Sequence, residues 1–350
     1  MLTQLIIALV GFGKSANRYH LPYLKLRSQI KLKAVYDHRL RHHQDIQDEL
    51  KQSGVNLTTN FDDILNDSEI QMLSITTPAT THYSLAKEAL NHGKNVLVEK
   101  PFCETRAQAE EILKLARDKG LVAMPFQNRR FDSDYLALKK VLDVGYIGTP
   151  LSLESHMDHF RPSDQFINSE PINGQFYGLG IHTIDQIVAL FGQPQQVYYD
   201  IRAQQNQGNL DDYYETQLFY ANFKATVSSS SLVATDYPSF RLNGTKGSFI
   251  KYGIDQQEND LKAGVMPGES QFGLDAPAAY GHLRYLNSNG DWISKDVITP
   301  IGDYGRVYDA MYATIIEQQT KLVTDQQLLL EMQILETGVS IQGPHVAVIK

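Results

Sequence analysis

Short apolar runs alternate with longer stretches of helical spacing over the first 125 residues. Leu5–Val10 is wholly apolar and stops at Gly11. Leu32–Tyr36, Met72–Thr76, Asn95–Val98 and Leu121–Phe126 repeat the form. Short apolar runs that stop at turn signals predict strands buried on both faces. Between them, Arg41–Gln52, Thr81–His92 and Arg106–Lys119 predict amphipathic helices. The last has clear end signals: Thr105 can cap its first turn, Gln108 can reach back, and Gly120 stops it. Strands and helices in strict alternation imply βαβ units and a parallel sheet.

The texture changes beyond Phe126. Helices are predicted at Asp134–Val144 and Ile181–Phe191. Alternating, β-rich stretches follow at Gln196–Arg202, Tyr213–Tyr220, Ala225–Ser231 and Phe240–Leu242, and Asn243–Gly244 before Gly247–Tyr252 has hairpin chemistry. Strands in succession, with no helices between them, predict a large, mostly antiparallel open sheet. Gly305–Gln319 and Asp325–Gly338 read as two closing helices. The expected organisation is therefore an α/β domain over residues 1–123 and an α+β domain over 124–350, the last helices being candidates for packing back on the first domain.

Composition narrows the function. A length of 350 residues suits two domains. A net charge of −8 argues against broad nucleic-acid binding, which needs basic surface to replace counterions. The single cysteine, Cys103, excludes an internal disulfide framework and a cysteine-built zinc site, and fits a reducing cytoplasm. Neither a secretion signal nor an uninterrupted apolar run long enough to span a membrane is expected. His42 and His43 are expected to be solvated. His156 and Asp158 share one strand face while His159 points away, so metal binding is not expected.

Gly11-Phe12-Gly13-Lys14-Ser15-Ala16 follows the first predicted strand. It is a G-x-G-x-x-A dinucleotide fingerprint. The first glycine allows the tight turn, the second lets the backbone approach a pyrophosphate, and the small third residue allows close packing of helix on strand. The helix start beyond offers free N–H groups to an anion. Asp37 ends the second strand, 24 residues after Gly13, where a carboxylate would hold a ribose hydroxyl. These features predict a Rossmann-type, doubly wound sheet binding NAD or NADP. Asp37 favours NAD, whereas Arg39 and Arg41 just beyond it offer partners for the extra phosphate of NADP.

Further motifs carry a resemblance. They are Thr76-Thr77-Pro78 with His82, Glu99-Lys100-Pro101-Phe102, Gln127-Asn128-Arg129-Arg130-Phe131-Asp132-Ser133-Asp134, Glu154-Ser155-His156, Tyr177 through Gln186, and Asp303 through Tyr308. In these the chain resembles the Gfo/Idh/MocA oxidoreductases over essentially its whole length. The resemblance implies hydride transfer between nicotinamide and a sugar, inositol or related polyol. It implies Lys100 and His182 as catalytic groups and a cis Lys100–Pro101 bond. The implied cofactor surface comprises Gly11, Phe12, Gly13, Lys14, Ser15, Asp37, Thr76, Thr77, Pro78, His82, Glu99, Lys100 and Pro101. Candidate substrate contacts are Asn128, Arg129, Arg130, Asp158, Tyr177 and His182. A homodimer or higher homo-oligomer formed through the second domain's sheet is also implied.

One position departs from the family pattern. Many members carry Asp four residues before the catalytic histidine, where this chain has Gly178. Three readings follow. His182 suffices with Lys100, oriented by Asp185; another carboxylate such as Asp158 enters; or the protein is a nucleotide-binding sensor without turnover. Arg129, Arg130, Tyr177 and Asp185 each have a competing reading as packing or salt-bridged structure, and Cys103 reads as a small buried filler.

Overall fold

The computed structural model describes residues 4–40, 43–162, 170–205, 210–341 and 344–349. The chain divides into two compact units, Met1–Asn128 with Tyr304–Leu329, and Arg129–Asp303 with Leu330–Lys350.

The first unit is built on β1 (Leu5–Val10), β2 (Ile30–Tyr36), β3 (Asn56–Thr58), β4 (Met72–Ile75), β5 (Asn95–Val98) and β6 (Ala123–Pro125). They lie in the order β3-β2-β1-β4-β5-β6, every neighbouring pair parallel. The chain thus runs outward from β1 through β3, then returns to β4 on the other side. Ligands of such sheets bind at the carboxyl ends of the strands beside that reversal. The strands are apolar because helices cover both faces; Leu5, Ile7, Leu9 and Val10 have no exposed surface. The helices are α1 (Leu21–Leu24), α2 (Gln44–Gln52), α3 (Asp62–Leu65), α4 (His82–Asn91) and α5 (Arg106–Asp118). Thr105 and Gln108 form the expected reciprocal cap at the start of α5. The helix expected from Arg41 begins at Gln44; Arg41 and His42 lie outside the described residues. Strand β3 and helix α3 are too short to stand out as apolar periods.

The second unit carries a nine-stranded sheet of β7 (Pro150–His156), β8 (Gln196–Arg202), β9 (Tyr213–Phe219), β10 (Lys224–Ser230), β11 (Phe240–Gly244), β12 (Gly247–Lys251), β13 (Gly281–Leu286), β14 (Trp292–Val297) and β15 (His345–Val348), in the order β14-β13-β12-β11-β7-β10-β9-β8-β15. All neighbours are antiparallel except β7 and β10. The expected hairpin joins β11 to β12, but its two-residue loop is Thr245–Lys246, and Asn243 and Gly244 end β11. Strands β13, β14 and β15 were not expected from the pattern, nor was α8 (Gln256–Ala263). Helices α6 (Ser133–Val144) and α7 (Ile181–Phe191) pack on the face carrying Tyr214, Thr216, Leu218, Ala225 and Val227. The opposite face of the same strands is polar, with Glu154, Glu215, Gln217 and Thr226.

The first unit is completed late in the sequence. Tyr304 is fully buried against the rings of Tyr19 and Tyr23. Helix α9 (Arg306–Ile316) follows, and Arg27 reaches both Asp309 oxygens, at 3.1 and 3.2 Å. A Cβ on Gly305 would fall 2.1 Å from the Arg27 guanidinium carbon, so any other residue there would displace the guanidinium. Helix α10 (Asp325–Ser340) runs across the division between the units. Among the described residues no helix is long and apolar enough to cross a membrane.

Asp134 near the start of α6 is buried, and burial together with the neighbouring Asp255 pushes its pKa up to about 6, against the opposing charge of Lys251. Its pKa is raised on folding, so the protonated form favours the native state. That contribution is present at acid pH and is lost as pH rises through 6. Asp134→Asn keeps an acceptor for the Tyr135 N–H, which Asp134 now binds at 2.9 Å. The variant is expected to be more stable than the parent at pH 8, by on the order of 2–3 kcal/mol, and nearly equal at about pH 3.5, below the ordinary carboxyl value. Urea denaturation at the two pH values checks this; an equal difference at both would show that Asp134 is not the titrating group.

Candidate active site

In the first unit, β1 ends at Gly11, whose φ of +100° turns the chain sharply. A Cβ there would meet Thr76 and Thr77 at 3.1 Å, so β1 and the end of β4 approach as only glycine permits. A Cβ on Gly13 would meet nothing within 4 Å, which leaves its backbone open to a ligand. Ala16 at the third position is fully buried. It opens a wide π-type turn, Ala16–His20, that leads into α1. Lys14 is exposed.

Asp37 accepts the N–H of Phe12 at 3.0 Å on one oxygen and those of Arg39 and Leu40, at 2.9 and 3.2 Å, on the other. Burial opposes its charge, but the Arg39, Phe12 and Leu40 N–H groups outweigh that and hold its pKa below the ordinary value. A charged carboxylate therefore stands at the end of β2, tied to the glycine turn. The open backbone at Gly13 and this fixed negative charge fit a dinucleotide: the turn for the pyrophosphate, Asp37 for the adenosine ribose.

The Thr76 hydroxyl donates to the carbonyls of Val10 and Gly11, at 3.1 and 3.0 Å, and the Thr77 hydroxyl pairs with that of Thr81 at 2.7 Å. Pro78 caps the following turn with its carbonyl. His82 is buried, its ring nitrogens 2.8 Å from the Pro101 carbonyl and 2.9 Å from the Thr77 carbonyl. Burial pushes its pKa down although both carbonyls favour the charged ring. The ring of His82 thus lies between two loops of the first unit with both nitrogens facing main-chain carbonyls, and in its neutral form it donates to one of them.

Strand β5 runs into Glu99, Lys100 and Pro101, and the Lys100–Pro101 bond is cis, as the resemblance implied. Glu99 turns inward. It accepts the hydroxyl of Ser15, the Nε2 of His20 at 3.0 Å and the backbone N–H of Lys100 at 3.0 Å. Burial would raise its pKa, but His20, Lys100 and Ser15 hold it down to about 2. Ser15 and Glu99 therefore bond each other rather than presenting those groups to a cofactor. Cys103 is buried and its thiol pushed up, as expected of a filler.

In the second unit, α7 follows another wide π-type turn, Phe176–Gly180. Such turns occur frequently at functional sites. Tyr177 is buried within it, and His182 stands one residue into α7, 4% exposed. A Cβ on Gly178 would meet nothing within 4 Å, so the position has room for a larger residue.

The arginine candidates are corrected. Arg130 is buried with Nε 3.0 Å from both Asp185 oxygens and an Nη 2.6 Å from one of them, and Glu331 lies 3.7 Å away. Arg129 pairs with Asp132 at 2.9 Å and with Glu258. Both guanidinium groups serve the second unit's interior, and Asp185 anchors Arg130 instead of orienting His182. Asn128 is buried at the end of the first unit's leading segment. Asp158 accepts the Ser230 N–H at 2.8 Å and lies 3.3 Å from His156. As expected the two share a face: both line an open groove of about 740 Å³ on the polar side of the sheet, where His156 stacks on Tyr237 at 4.7 Å. Among the described residues no group of His, Cys, Asp and Glu is placed to hold a metal ion.

Sequence reasoning missed His20, Ser74 and Tyr308, which form a hydrogen-bonded line to Glu99. Tyr308 was within reach, since it closes the Asp303–Tyr308 motif.

A doubly wound sheet with this turn, joined in sequence to a mostly antiparallel open sheet, defines a two-domain nicotinamide-dinucleotide oxidoreductase. The profile of the oxidoreductase-family NAD-binding Rossmann fold matches residues 5–127, and that of the oxidoreductase-family C-terminal alpha/beta domain matches residues 139–341. The chain belongs to the Gfo/Idh/MocA oxidoreductase family. It is 46% identical to the uncharacterized oxidoreductase YhhX of Escherichia coli K12 over 96% of each chain. It is 28% identical to the NADP-dependent scyllo-inositol 2-dehydrogenase IolW of Bacillus subtilis 168, over 95% of this chain and 92% of that one. The solved structure of an oxidoreductase from Bacillus cereus superposes with a TM-score of 0.96 at 49% identity, over 99% of both chains.

Removing one partner from a buried ion pair leaves the other uncompensated. Asp185→Ala is therefore expected to lose about 3–5 kcal/mol of stability. Thermal denaturation measures it; an unchanged midpoint would show the Arg130 pair to be dispensable.

Proposed function

We propose that the protein is an NAD-dependent oxidoreductase that transfers hydride between nicotinamide and a secondary alcohol of a sugar, inositol or related polyol. The observation that carries the reading is Lys100, set at the carboxyl end of β5 in the same unit as the glycine turn, on a backbone held by Glu99. The inositol dehydrogenase among the relatives supports the substrate class.

The nicotinamide, when bound, supplies the hydride acceptor. Gly11–Ser15 would hold its pyrophosphate and Asp37 the adenosine ribose. In the oxidation direction the C–H bond of the alcohol carbon breaks with its electron pair, the O–H proton leaves, and C=O forms. The Lys100 ammonium stabilises negative charge as it develops on that oxygen. His182 takes the proton and returns it in the reverse direction; an imidazole is suited to both near neutral pH. The charge on Asp37 disfavours the extra phosphate of NADP and selects NAD. Gly178 favours a second reading, a nucleotide-binding sensor. Tight cofactor binding without turnover of any inositol, aldose or polyol would establish it.

Lys100→Ala and His182→Ala are each expected to lower kcat by about 10²- to 10⁴-fold. Stopped-time absorbance assays with a polyol panel test this, and full turnover in both variants refutes the assigned roles. Asp37→Ala is expected to weaken NAD more than NADP in fluorescence titrations. The opposite order would overturn the cofactor preference.

A further inference from the structure

We propose that His20 and Tyr308 are positioning residues for Lys100, acting through Glu99. The inference rests on the reading of Lys100 given above. It starts from a continuous hydrogen-bonded line inside the first unit. The Ser74 hydroxyl lies 2.8 Å from the Tyr308 phenol oxygen, which lies 2.7 Å from His20 Nδ1. His20 Nε2 lies 3.0 Å from Glu99 Oε1, the oxygen that also accepts from the Ser15 hydroxyl. Glu99 Oε2 accepts the backbone N–H of Lys100 at 3.0 Å.

The chemistry of these groups fixes the direction at the Glu99 end, and with a neutral ring it fixes the rest. An ionised carboxylate only accepts, so Nε2 carries a proton and donates it to Glu99. In the neutral ring, Nδ1 then has a lone pair, which the Tyr308 O–H fills. The Ser74 O–H can in turn donate to the phenol oxygen. Burial pushes the Tyr308 phenol up, against the Ser74 hydrogen bond, which keeps it an O–H donor at neutral pH. The imidazole has little freedom to turn. It is fully buried, stacked on Phe126 with ring centres 4.0 Å apart and met edge-on by Tyr308.

The consequence falls at Glu99. One oxygen is committed to His20 and Ser15, the other to the Lys100 N–H, so the carboxylate has one orientation. Ser15 belongs to the glycine turn and Lys100 to the reacting end of β5. Both hang from the same carboxylate, and His20 with Tyr308 fixes that carboxylate from behind. The line reaches Lys100 through its backbone, so these residues position and do not react. Tyr308 is itself set by α9, which the Arg27–Asp309 pair ties to the sheet's first crossover.

The test uses the full chain. Tyr308→Phe keeps the ring and removes one oxygen. His20→Gln keeps an N–H donor near the place of Nε2, and His20→Leu removes it. In the protein without cofactor at pH 8, ¹⁵N spectra should show His20 protonated on Nε2 with Nδ1 accepting. In Tyr308→Phe the Nδ1 resonance should move to that of a nitrogen without a hydrogen bond. The Lys100 amide proton should move upfield in Tyr308→Phe and in His20→Leu and hold its place in His20→Gln. In turnover, Tyr308→Phe and His20→Leu should lower kcat about 5- to 30-fold, with cofactor Kd and polyol KM within about twofold, and His20→Gln should recover most of the loss.

An unmoved Lys100 amide in both Tyr308→Phe and His20→Leu overturns the proposal. If His20→Leu does not fold, Tyr308→Phe decides by the same amide. Lys100→Ala, assayed alongside, separates the two readings. If it turns over fully, the role of Lys100 fails whatever the spectra show. If it is inactive while the His20 and Tyr308 variants match the parent, the positioning role alone fails.

Discussion

A carboxylate taken out of water must be met by donors, or it gives up its charge. Each unit of this protein is organised around one such group. In the first, Glu99 remains ionised because a hydroxyl, an imidazole and a backbone N–H converge on it. In the second, Asp185 is met by the fork of Arg130. Breaking a buried pair costs far more than an exposed one contributes. These two clusters therefore constrain the elements that carry Lys100 and His182 more tightly than the exposed ion pairs on the helices, such as Lys114–Asp118, constrain anything.

The first unit was largely legible in the sequence because buried parallel strands are nearly continuous apolar runs. Leu5–Val10 and Asn95–Val98 are found at their expected bounds. The capping pair at Thr105 was equally plain, since its chemistry is local. The second unit was harder. Strand β13 alternates buried and half-exposed or exposed side chains over six residues, and β15 is an exposed edge of four. Neither pattern differs much from a loop until a neighbour is in place.

The site divides in the same way. The glycine turn and Asp37 are readable because backbone conformation and short spacing define them, whereas the cis Lys100–Pro101 bond was implied by the family resemblance. The partners of charged groups are not, because they depend on which distant residues meet. Nothing local distinguishes Arg130, spent on Asp185 55 residues away, from an arginine left to hold a substrate. His82 was implied as a cofactor contact by the resemblance, and only the folded chain shows its ring facing the carbonyls of Thr77 and Pro101. His20 and Tyr308 stand 288 residues apart, and no spacing rule connects them.

That separation bears on the order of events at the ribosome. Domains at the amino end of a chain commonly fold while the rest is still being made. Here the sheet of the first unit emerges early, but Tyr304, Tyr308 and Asp309 emerge only after eight of the nine strands of the second sheet have been translated, β15 alone following them. Until then His20 has no phenol beside it and Arg27 no carboxylate, so the nascent nucleotide fold waits with an open seam. Its completion waits for a late part of translation, and a message truncated before that point yields a first unit with its core polar groups unmatched.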